Sequence, residues 1–352
     1  MVYLDYAATC PQVKYLCSNY GSFFNVNANY AYKEKRLLSE AENRVKKAIG
    51  AKGGKVVFGG TSSQLIENLF THIYDETNEY LTICSVYEHD SVWRFAGQWG
   101  NIDSLKHVIQ TYHGDKQLIV CLMGVNNLTG EIFPIEEIGK LCHEHDAFYI
   151  CDMTAMIGHT PIPTNIDQWC SCAVWSGHKL GTELGIGAMW ISDRLDKWLD
   201  GFKLHGTPNL TGVLAMTQAV EDACDKVVID KKDYHWVALA DIMYRTLGKA
   251  NINYVMIPDR LVAYTYAINA IRLPGFNADA LQQYLASKQI YVSIGGSACA
   301  EKHDYRILET GYNLTKQEAS EVIRVSFGED SSVEDVVALV EGIKNFKELY
   351  VK

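Results

Sequence analysis

Short apolar runs alternate with amphipathic stretches along the chain up to about residue 200. The stretch PIEEIGKLCHEHD (134–146) has its apolar residues near helical spacing. Because strands that alternate with helices need crossover connections, the pattern predicts an α/β fold with a mainly parallel sheet covered on both faces. Ligands bind such sheets at the carboxyl ends of the strands. The apolar runs predict strands at 55–58, 80–86, 117–123, 147–153, 170–176 and 185–191.

Beyond Leu210 the pattern becomes more helical, and DYHWVALADIMYRTLGKA (233–250) predicts a connecting helix. We place a domain boundary near residue 245, with a large domain at 13–245 and a smaller α+β domain formed by 1–12 and 246–352. Four further elements are predicted there: helix 277–289, strand 290–294, strand 322–328 and helix 332–346.

Length, charge and cysteine usage narrow the class of protein. The 352 residues suit two domains of roughly 150 residues each. The chain carries 32 Lys plus Arg against 42 Asp plus Glu, a net charge of −10, which argues against direct nucleic-acid binding. Ten scattered cysteines favour reduced thiols. We see no signal peptide and no apolar run of about 20 residues, so we expect a cytoplasmic protein that does not enter a membrane.

The candidate chemistry lies after the strands. Asp152 ends the strand FYICD, and Lys179 follows the strand CSCAVWS. An acid and a lysine at neighbouring strand ends are what pyridoxal phosphate needs, since the lysine binds the cofactor covalently and the carboxylate pairs with the pyridine nitrogen. Ser176 and His178 can bind its phosphate, as can GGTSS (59–63), which includes Thr61 and Ser62 and precedes a helix.

Six segments resemble motifs of the cysteine desulfurases, within the class V aminotransferase fold, and they stand in family order over nearly the whole chain. They are YLDYAATCP (3–11), EHDSV (88–92), VNNLTGEIFPIEEIG (125–139), GTPNLTG (206–212), GGSACA (295–300) and VIRVSFG (322–328). The resemblance implies a fold type I transferase that depends on pyridoxal 5'-phosphate. Its large domain is expected to carry a mainly parallel seven-stranded sheet, and its smaller C-terminal domain to be α+β.

The resemblance also implies roles for single residues. His89 is expected to stack on the cofactor ring, Asn127 to lie near the ring and the substrate, and Arg324 to bind the substrate carboxylate. Thr207 is expected to reach the phosphate of the partner subunit's cofactor, which makes the protein a homodimer. Cys299 is expected to be the catalytic nucleophile.

The implied reaction removes sulfur from L-cysteine. Lys179 takes a proton from the substrate's α-carbon, and the thiolate of Cys299 attacks the substrate sulfur. L-alanine leaves, and the persulfide on Cys299 passes to a sulfur-acceptor protein. Iron–sulfur cluster assembly, tRNA thiolation, cofactor synthesis and DNA sulfur modification all begin with such a persulfide, so the acceptor stays open.

The chain departs from the family pattern at several positions. Ala155 stands where a glutamine usually binds the cofactor's phenolic oxygen, and Tyr30 stands where the family has a histidine. Leu204 and His205 precede the GT pair in place of the usual arginine. These changes leave the core reaction possible and bear on cofactor affinity and substrate preference.

Each assignment has an ordinary alternative. Lys179 could be a surface charge, His89 a helix cap, Cys299 a small buried apolar residue and Arg324 a structural ion-pair residue. The scaffold could also run another pyridoxal reaction, such as selenocysteine lysis or amino transfer, or be a degenerate homologue that only binds a partner. Cys170 and Cys172 form a C-x-C, for which burial is the better interpretation; we expect no metal site.

Overall fold

The computed structural model describes residues 1–76, 79–196, 202, 204, 206–229, 232–259, 261–295 and 304–351, with only the backbone for 75–76, 226–229 and 232–234. Its strands are β1 (Val2–Tyr3), β2 (Lys55–Gly59), β3 (Tyr80–Ser85), β4 (Gln98–Gly100), β5 (Gln117–Cys121), β6 (Phe148–Asp152), β7 (Cys172–Ser176), β8 (Gly187–Ile191), β9 (Val255–Ile257), β10 (Ile268–Arg272), β11 (Ile290–Tyr291), β12 (Ser293–Ile294) and β13 (Val322–Ser326). Its α-helices are α1 (Tyr32–Ala48), α2 (Ser62–Glu76), α3 (Asp90–Trp93), α4 (Ile102–Thr111), α5 (Ile135–Glu144), α6 (Leu210–Ile229), α7 (Lys232–Lys249), α8 (Ala278–Ser287), α9 (Lys316–Ala319) and α10 (Val333–Tyr350).

The chain divides into two compact units. The large unit comprises Pro11–Gly124 and Phe133–Ile229, and the small unit comprises Met1–Cys10, Val125–Ile132 and Asp230–Lys352. The predicted boundary near residue 245 falls inside α7, whereas the small unit resumes at Asp230. The apolar pattern of a connecting helix does not tell which of the two cores the helix covers. Here α7 packs against α10 of the small unit, and Trp236 donates from Nε1 to the carbonyl of Gly328 (3.3 Å).

A seven-stranded sheet forms the centre of the large unit, in the order β2-β8-β7-β6-β5-β3-β4. Strands β4, β3, β5, β6 and β7 run parallel, whereas β8 is antiparallel to both β7 and β2. The predicted mainly parallel, seven-stranded α/β sheet is therefore confirmed. Every residue of β6, β7 and β8 is buried, as expected for strands covered on both faces.

Helix α2 covers one face of this sheet with Leu65, Ile66, Leu69 and Phe70, all of them at most 1% exposed. Each such side chain contributes roughly 1.5–3 kcal/mol when it leaves water. Cys170 and Cys172 are buried as well, as the sequence suggested. These two thiols are therefore part of the packed interior of the sheet and are not exposed to solvent.

The small unit contains an antiparallel sheet in the order β12-β13-β10-β9 and a parallel pair, β1 with β11. The predicted strand 290–294 is divided, because Ile290 and Tyr291 pair with β1 while Ser293 and Ile294 pair with β13. Among the described residues, no helix is both long and apolar enough to cross a membrane.

Candidate active site

Topology alone gathers most of the predicted residues of the large unit at one edge of its sheet. Strands β2, β3, β5, β6 and β7 all point the same way, so the loops that follow them leave from the same edge. In register, Gly59 of β2 and Ser176 of β7 both pair with Gly187 of β8. The segment after Gly59 and the turn after Ser176 therefore begin at the same level of the sheet, with only β8 between them.

Asp152 is the last residue of β6 and pairs with Val174 on β7. The residue is 8% exposed, and Oδ1 accepts a hydrogen bond from the amide of Thr154 (2.8 Å). The hydroxyl of Thr154 is buried and has no partner among the described residues. A fixed carboxylate with an unsatisfied hydroxyl two residues later is a polar end to a buried strand, which suits a ligand that donates to the acid.

Lys179 ends the short 3₁₀ turn Gly177–Lys179 that directly follows β7. The turn is tight: a Cβ at Gly177 would lie 2.9 Å from a methyl carbon of Ile186, and the Gly177 amide donates to the carbonyl of Ile186 (3.1 Å). Only glycine fits there. The close approach fixes where the half-buried Lys179 leaves the strand.

Burial, together with the positive charge of Lys179, lowers the pKa of His178 to about 4. The imidazole is therefore neutral at pH 7, with one nitrogen that donates and one that accepts. Such a ring contributes a hydrogen bond to an anion such as phosphate without placing a second full charge beside Lys179.

The first turn of α2 supplies the predicted phosphate-binding segment. Thr61 caps this helix, since its Oγ1 accepts from the amide of Gln64 (3.0 Å), and its hydroxyl proton remains for another acceptor. A Cβ at Gly187 would lie 2.6 Å from the carbonyl carbon of Thr61 and 2.7 Å from the amide nitrogen of Ser62. The backbone of β8 thus packs directly against a helix N-terminus, where amides and dipole favour an anion.

His89 caps α3, which was the ordinary alternative for this residue. Its Nδ1 accepts from the amide of Ser91 (3.2 Å) and lies 2.9 Å from the hydroxyl of the same serine. A neutral ring whose Nδ1 accepts carries its proton on Nε2. Capping fixes the imidazole through one nitrogen and one edge only, so it is compatible with a stacking role for the ring face.

Glu88, which sequence analysis missed, holds the loop that carries His89. The residue is fully buried, and Oε1 accepts from the hydroxyl of Ser85 at the end of β3 (2.6 Å) and from the amide of Met123 beyond β5 (2.8 Å). The two bonds tie the loop to two strand ends. The sequence signal was an acid directly before the histidine in EHDSV, although its partners are remote in sequence.

Arg324 lies in β13 of the small unit and is 4% exposed. Its Nη2 donates to Asp5 Oδ1 (2.6 Å) and to Ser293 Oγ (3.0 Å), and its Nη1 donates to the carbonyl of Asn127 (2.9 Å). The structure thus brings together two residues that the sequence selected separately, Arg324 and Asn127. Asn127 also has a buried side-chain oxygen without a partner among the described residues.

The remaining predicted residues differ in what the structure reports. Thr207 is exposed, and its hydroxyl accepts from the side-chain amide of Asn25 (3.3 Å). Cys299 lies outside the described residues, as does His205. Ala155, at the position of the usual glutamine, is 6% exposed and has no side-chain donor to offer.

An acid and a lysine at the carboxyl ends of adjacent parallel strands, beside a helix N-terminus, define a class of enzyme that binds pyridoxal phosphate. The chain belongs to the family described as aminotransferase class-V, whose model matches residues 2–339. Enzymes of this family, with the cysteine desulfurases among them, depend on pyridoxal phosphate. The resemblance stated from the motifs is confirmed, and so is the fold class.

Individual relatives agree with the family. A protein named cysteine desulfurase IscS from Rickettsia rickettsii is 24% identical over 373 residues, which cover 95% of this chain and 88% of that protein. Another of that name from Dictyoglomus turgidum is 27% identical and covers 70% of each chain. The X-ray structure of a NifS-like protein from Rickettsia africae has a TM-score of 0.80 at 21% identity, covers 99% of both chains and shows the same fold.

The described residues of the large unit fit the cofactor. The buried carboxylate of Asp152 suits a protonated pyridine nitrogen, and the unsatisfied hydroxyl of Thr154 lies on the segment that follows it. The N-terminus of α2 with Thr61 and Ser62 suits the phosphate. Lys179 has a primary amine, the group that covalent attachment of the cofactor needs, and it follows the adjacent strand β7.

Proposed function

We propose that this protein is a pyridoxal-phosphate-dependent cysteine desulfurase, which converts L-cysteine to L-alanine and retains the sulfur as a persulfide on Cys299. The observation that carries the proposal is that Asp152 ends β6 and Lys179 follows the adjacent parallel strand β7. The names of the relatives supply the substrate class.

The cofactor is held by residues of the large unit. Lys179 would bind it covalently, Asp152 would accept from its pyridine nitrogen, and His89 would stack on the ring. Four residues bind its phosphate through hydroxyl, imidazole and helix N-terminal groups: Thr61, Ser62, Ser176 and His178. When bound, pyridoxal phosphate withdraws electrons from the substrate's α-carbon, so that this carbon can lose a proton.

Three residues act on the substrate directly. Arg324 binds the carboxylate of L-cysteine, and Asn127 offers its side chain to the same amino acid or to the cofactor ring. With the substrate bound, the amine of Lys179 would take the proton from the α-carbon as a general base. The neutral state of His178 leaves this lysine without an imidazolium neighbour.

Cys299 performs the sulfur transfer. Its thiolate attacks the sulfur of the bound cysteine, an S–S bond forms, and the substrate's C–S bond breaks with its electron pair going to carbon. That carbon then takes up a proton, Lys179 returns a proton to the α-carbon, and L-alanine leaves. The assignment of Cys299 rests on the segment GGSACA.

The test uses purified protein loaded with pyridoxal phosphate and supplied with L-cysteine and a reductant. We expect sulfide and alanine in equal amounts, and both should be abolished by Cys299→Ala while the cofactor's absorbance band persists. Cys224→Ala, a partly buried cysteine on α6, is the matched control and should retain full turnover. Turnover that survives Cys299→Ala would favour another pyridoxal reaction, such as selenocysteine lysis or amino transfer, and the absence of any band would favour a scaffold.

We also propose a homodimer. Thr207 is exposed, and the segment that donates to it carries exposed aromatic side chains, namely Phe24 (66%), Tyr30 (69%) and Tyr32 (79%). Exposed aromatic patches of this kind are typical of protein interfaces. Light scattering should give twice the 39.5 kDa chain mass, and Thr207→Ala should lower cofactor affinity if this residue reaches the partner's phosphate.

The persulfide requires an acceptor, and a catalytic thiol requires a compartment in which cysteines stay reduced. We propose that a sulfur-acceptor protein takes the sulfur from Cys299, as the first step of a pathway such as iron–sulfur cluster assembly. A cytoplasmic location agrees with the nine described cysteines, all of which are free thiols.

A further inference from the structure

The guanidinium of Arg324 already donates hydrogen bonds to three acceptors within the protein. A guanidinium has five N–H donors on three nitrogens. Here Nη2 donates twice, to Asp5 Oδ1 (2.6 Å) and Ser293 Oγ (3.0 Å), and Nη1 donates to the carbonyl of Asn127 (2.9 Å). Nε is buried and has no partner among the described residues.

The positions of these bonds decide what a second carboxylate can do. A carboxylate that binds bidentately takes two parallel N–H groups from one edge of the guanidinium. One such edge pairs Nε with Nη2, and the other pairs Nη1 with Nη2. Because Nη2 already donates twice, neither edge of Arg324 has both of its donors available.

The backbone and a serine hold Asp5 in this position. The strand segment of Asp5 bridges to Ser326, and Asp5 Oδ2 accepts from Ser293 Oγ (3.0 Å). The Arg324 and Asp5 side chains are 5% and 18% exposed, so water screens their charges only weakly. The two opposite charges therefore largely cancel, and an approaching anion is attracted only weakly to Arg324.

We propose that Asp5 is an internal carboxylate that competes with the carboxylate of the substrate for Arg324 and thereby sets the affinity of the site for amino acids. The proposal rests on the proposed function, in which Arg324 binds that carboxylate. On binding, the ligand takes the unsatisfied Nε–H and displaces Asp5 from the neighbouring N–H of Nη2. This competition weakens the binding of substrate and product alike, since L-cysteine and L-alanine carry the same carboxylate. It also speeds the release of alanine.

The first test is equilibrium binding, read from the change in the cofactor's absorbance when the loaded enzyme is titrated. Asp5→Asn keeps an oxygen that accepts from Nη2 but removes the competing charge. We expect L-alanine to bind about tenfold more tightly to this variant, as the loss of one nearby like charge predicts. L-alaninamide, which has no carboxylate, should bind the variant and the natural protein equally.

Ser293→Ala is the matched control, since it removes a hydrogen bond from the same nitrogen and leaves the charge of Asp5 in place. Its effect on L-alanine binding should be less than about threefold. Unchanged or weaker binding of L-alanine to Asp5→Asn would overturn the competition, because Asp5 would then only orient Arg324.

A second measurement needs no variant and covers the case in which Asp5→Asn fails to fold. In the natural protein, L-alanine should bind no more than about tenfold more tightly than L-alaninamide. Two charge-assisted hydrogen bonds to an uncontested arginine would give about 100-fold or more, and that result would overturn the proposal. A natural protein that shows no cofactor band contradicts the proposed function itself, whereas a normal band with a large ratio contradicts only the competition.

Discussion

Lys179 and Arg324 are the two cations on which the proposed function depends, and the two units of the molecule treat them differently. Lys179 is half-buried at the end of a tight turn, beside an imidazole that burial keeps neutral. Arg324 lies within a strand, is 4% exposed and donates to a carboxylate, a hydroxyl and a carbonyl. In the proposed function the lysine changes its position during each turnover, whereas the arginine keeps one orientation while the carboxylate that it binds changes.

The comparison shows how local structure suits each task. A short turn fixes where Lys179 begins but leaves its four-carbon side chain able to move between cofactor and substrate. Strand pairing with Ala270 and Ser293 fixes the backbone of Arg324, and acceptors on its terminal nitrogens fix the guanidinium. Substitutions at the lysine should therefore affect chemistry, and substitutions at the arginine should affect stability and substrate affinity together.

The largest expected effect is that of Lys179→Ala. Loss of the covalent attachment and of the base should lower the rate of alanine formation by at least about 1,000-fold, with little change in stability, because the residue is only half-buried. The rate and the cofactor's absorbance are the measurements. Lys55→Ala, which removes a half-buried lysine at the start of β2, serves as control, and equal losses in the two variants would contradict the assignment.

Arg324→Ala should show the next largest effect. It leaves the partly buried carboxylate of Asp5 without its partner, so the free energy of unfolding should fall by about 3 kcal/mol, measured by urea denaturation without cofactor. Arg324→Lys keeps the charge and loses the fork, and should raise KM for L-cysteine far more than it lowers kcat. Arg272→Lys, in the neighbouring strand and paired with Glu318 and Glu321, should leave KM unchanged.

The smallest expected effect concerns His178. Burial lowers its pKa to about 4, below the value of 6.5 in an unfolded chain, so the unfolded state binds the proton more readily. Stability should be independent of this group above pH 6.5 and should decrease as the pH falls from 6.5 to 4. Because the ring is only partly buried, we expect a contribution of about 1 kcal/mol. In His178→Gln the urea midpoint should depend less on pH between 6.5 and 4. A midpoint that falls as steeply as in the natural protein would contradict the effect of burial on His178.

Much of the large unit could be predicted because its signals are local. Runs of apolar residues marked the strands on both sides of Asp152 and Lys179, and strand ends are where ligands bind in such sheets. The small unit was harder. Strand β10 was missed because Asn269 interrupts its apolar pattern, yet this residue is 2% exposed and bonds to Tyr244 and to the carbonyl of Tyr266.

Two residues were missed because their importance depends on burial and on partners that are remote in sequence. Glu88 has a buried carboxylate that accepts hydrogen bonds at the ends of two strands. Thr154 has a buried hydroxyl without a partner among the described residues. The segment Val125–Ile132 belongs to the small unit although its neighbours in sequence do not, since Gly130 and Ile132 form backbone bonds with Thr265 and Ala263.

The sequence by itself determined the α/β class, the parallel sheet and the candidates at its carboxyl edge, because hydrophobic periodicity and strand-end position are properties of neighbouring residues. Only the tertiary structure decided that Asp5, 319 positions away in the chain, takes the guanidinium of Arg324. A hydrogen bond between remote residues depends on the whole path of the backbone between them. No local pattern encodes that path.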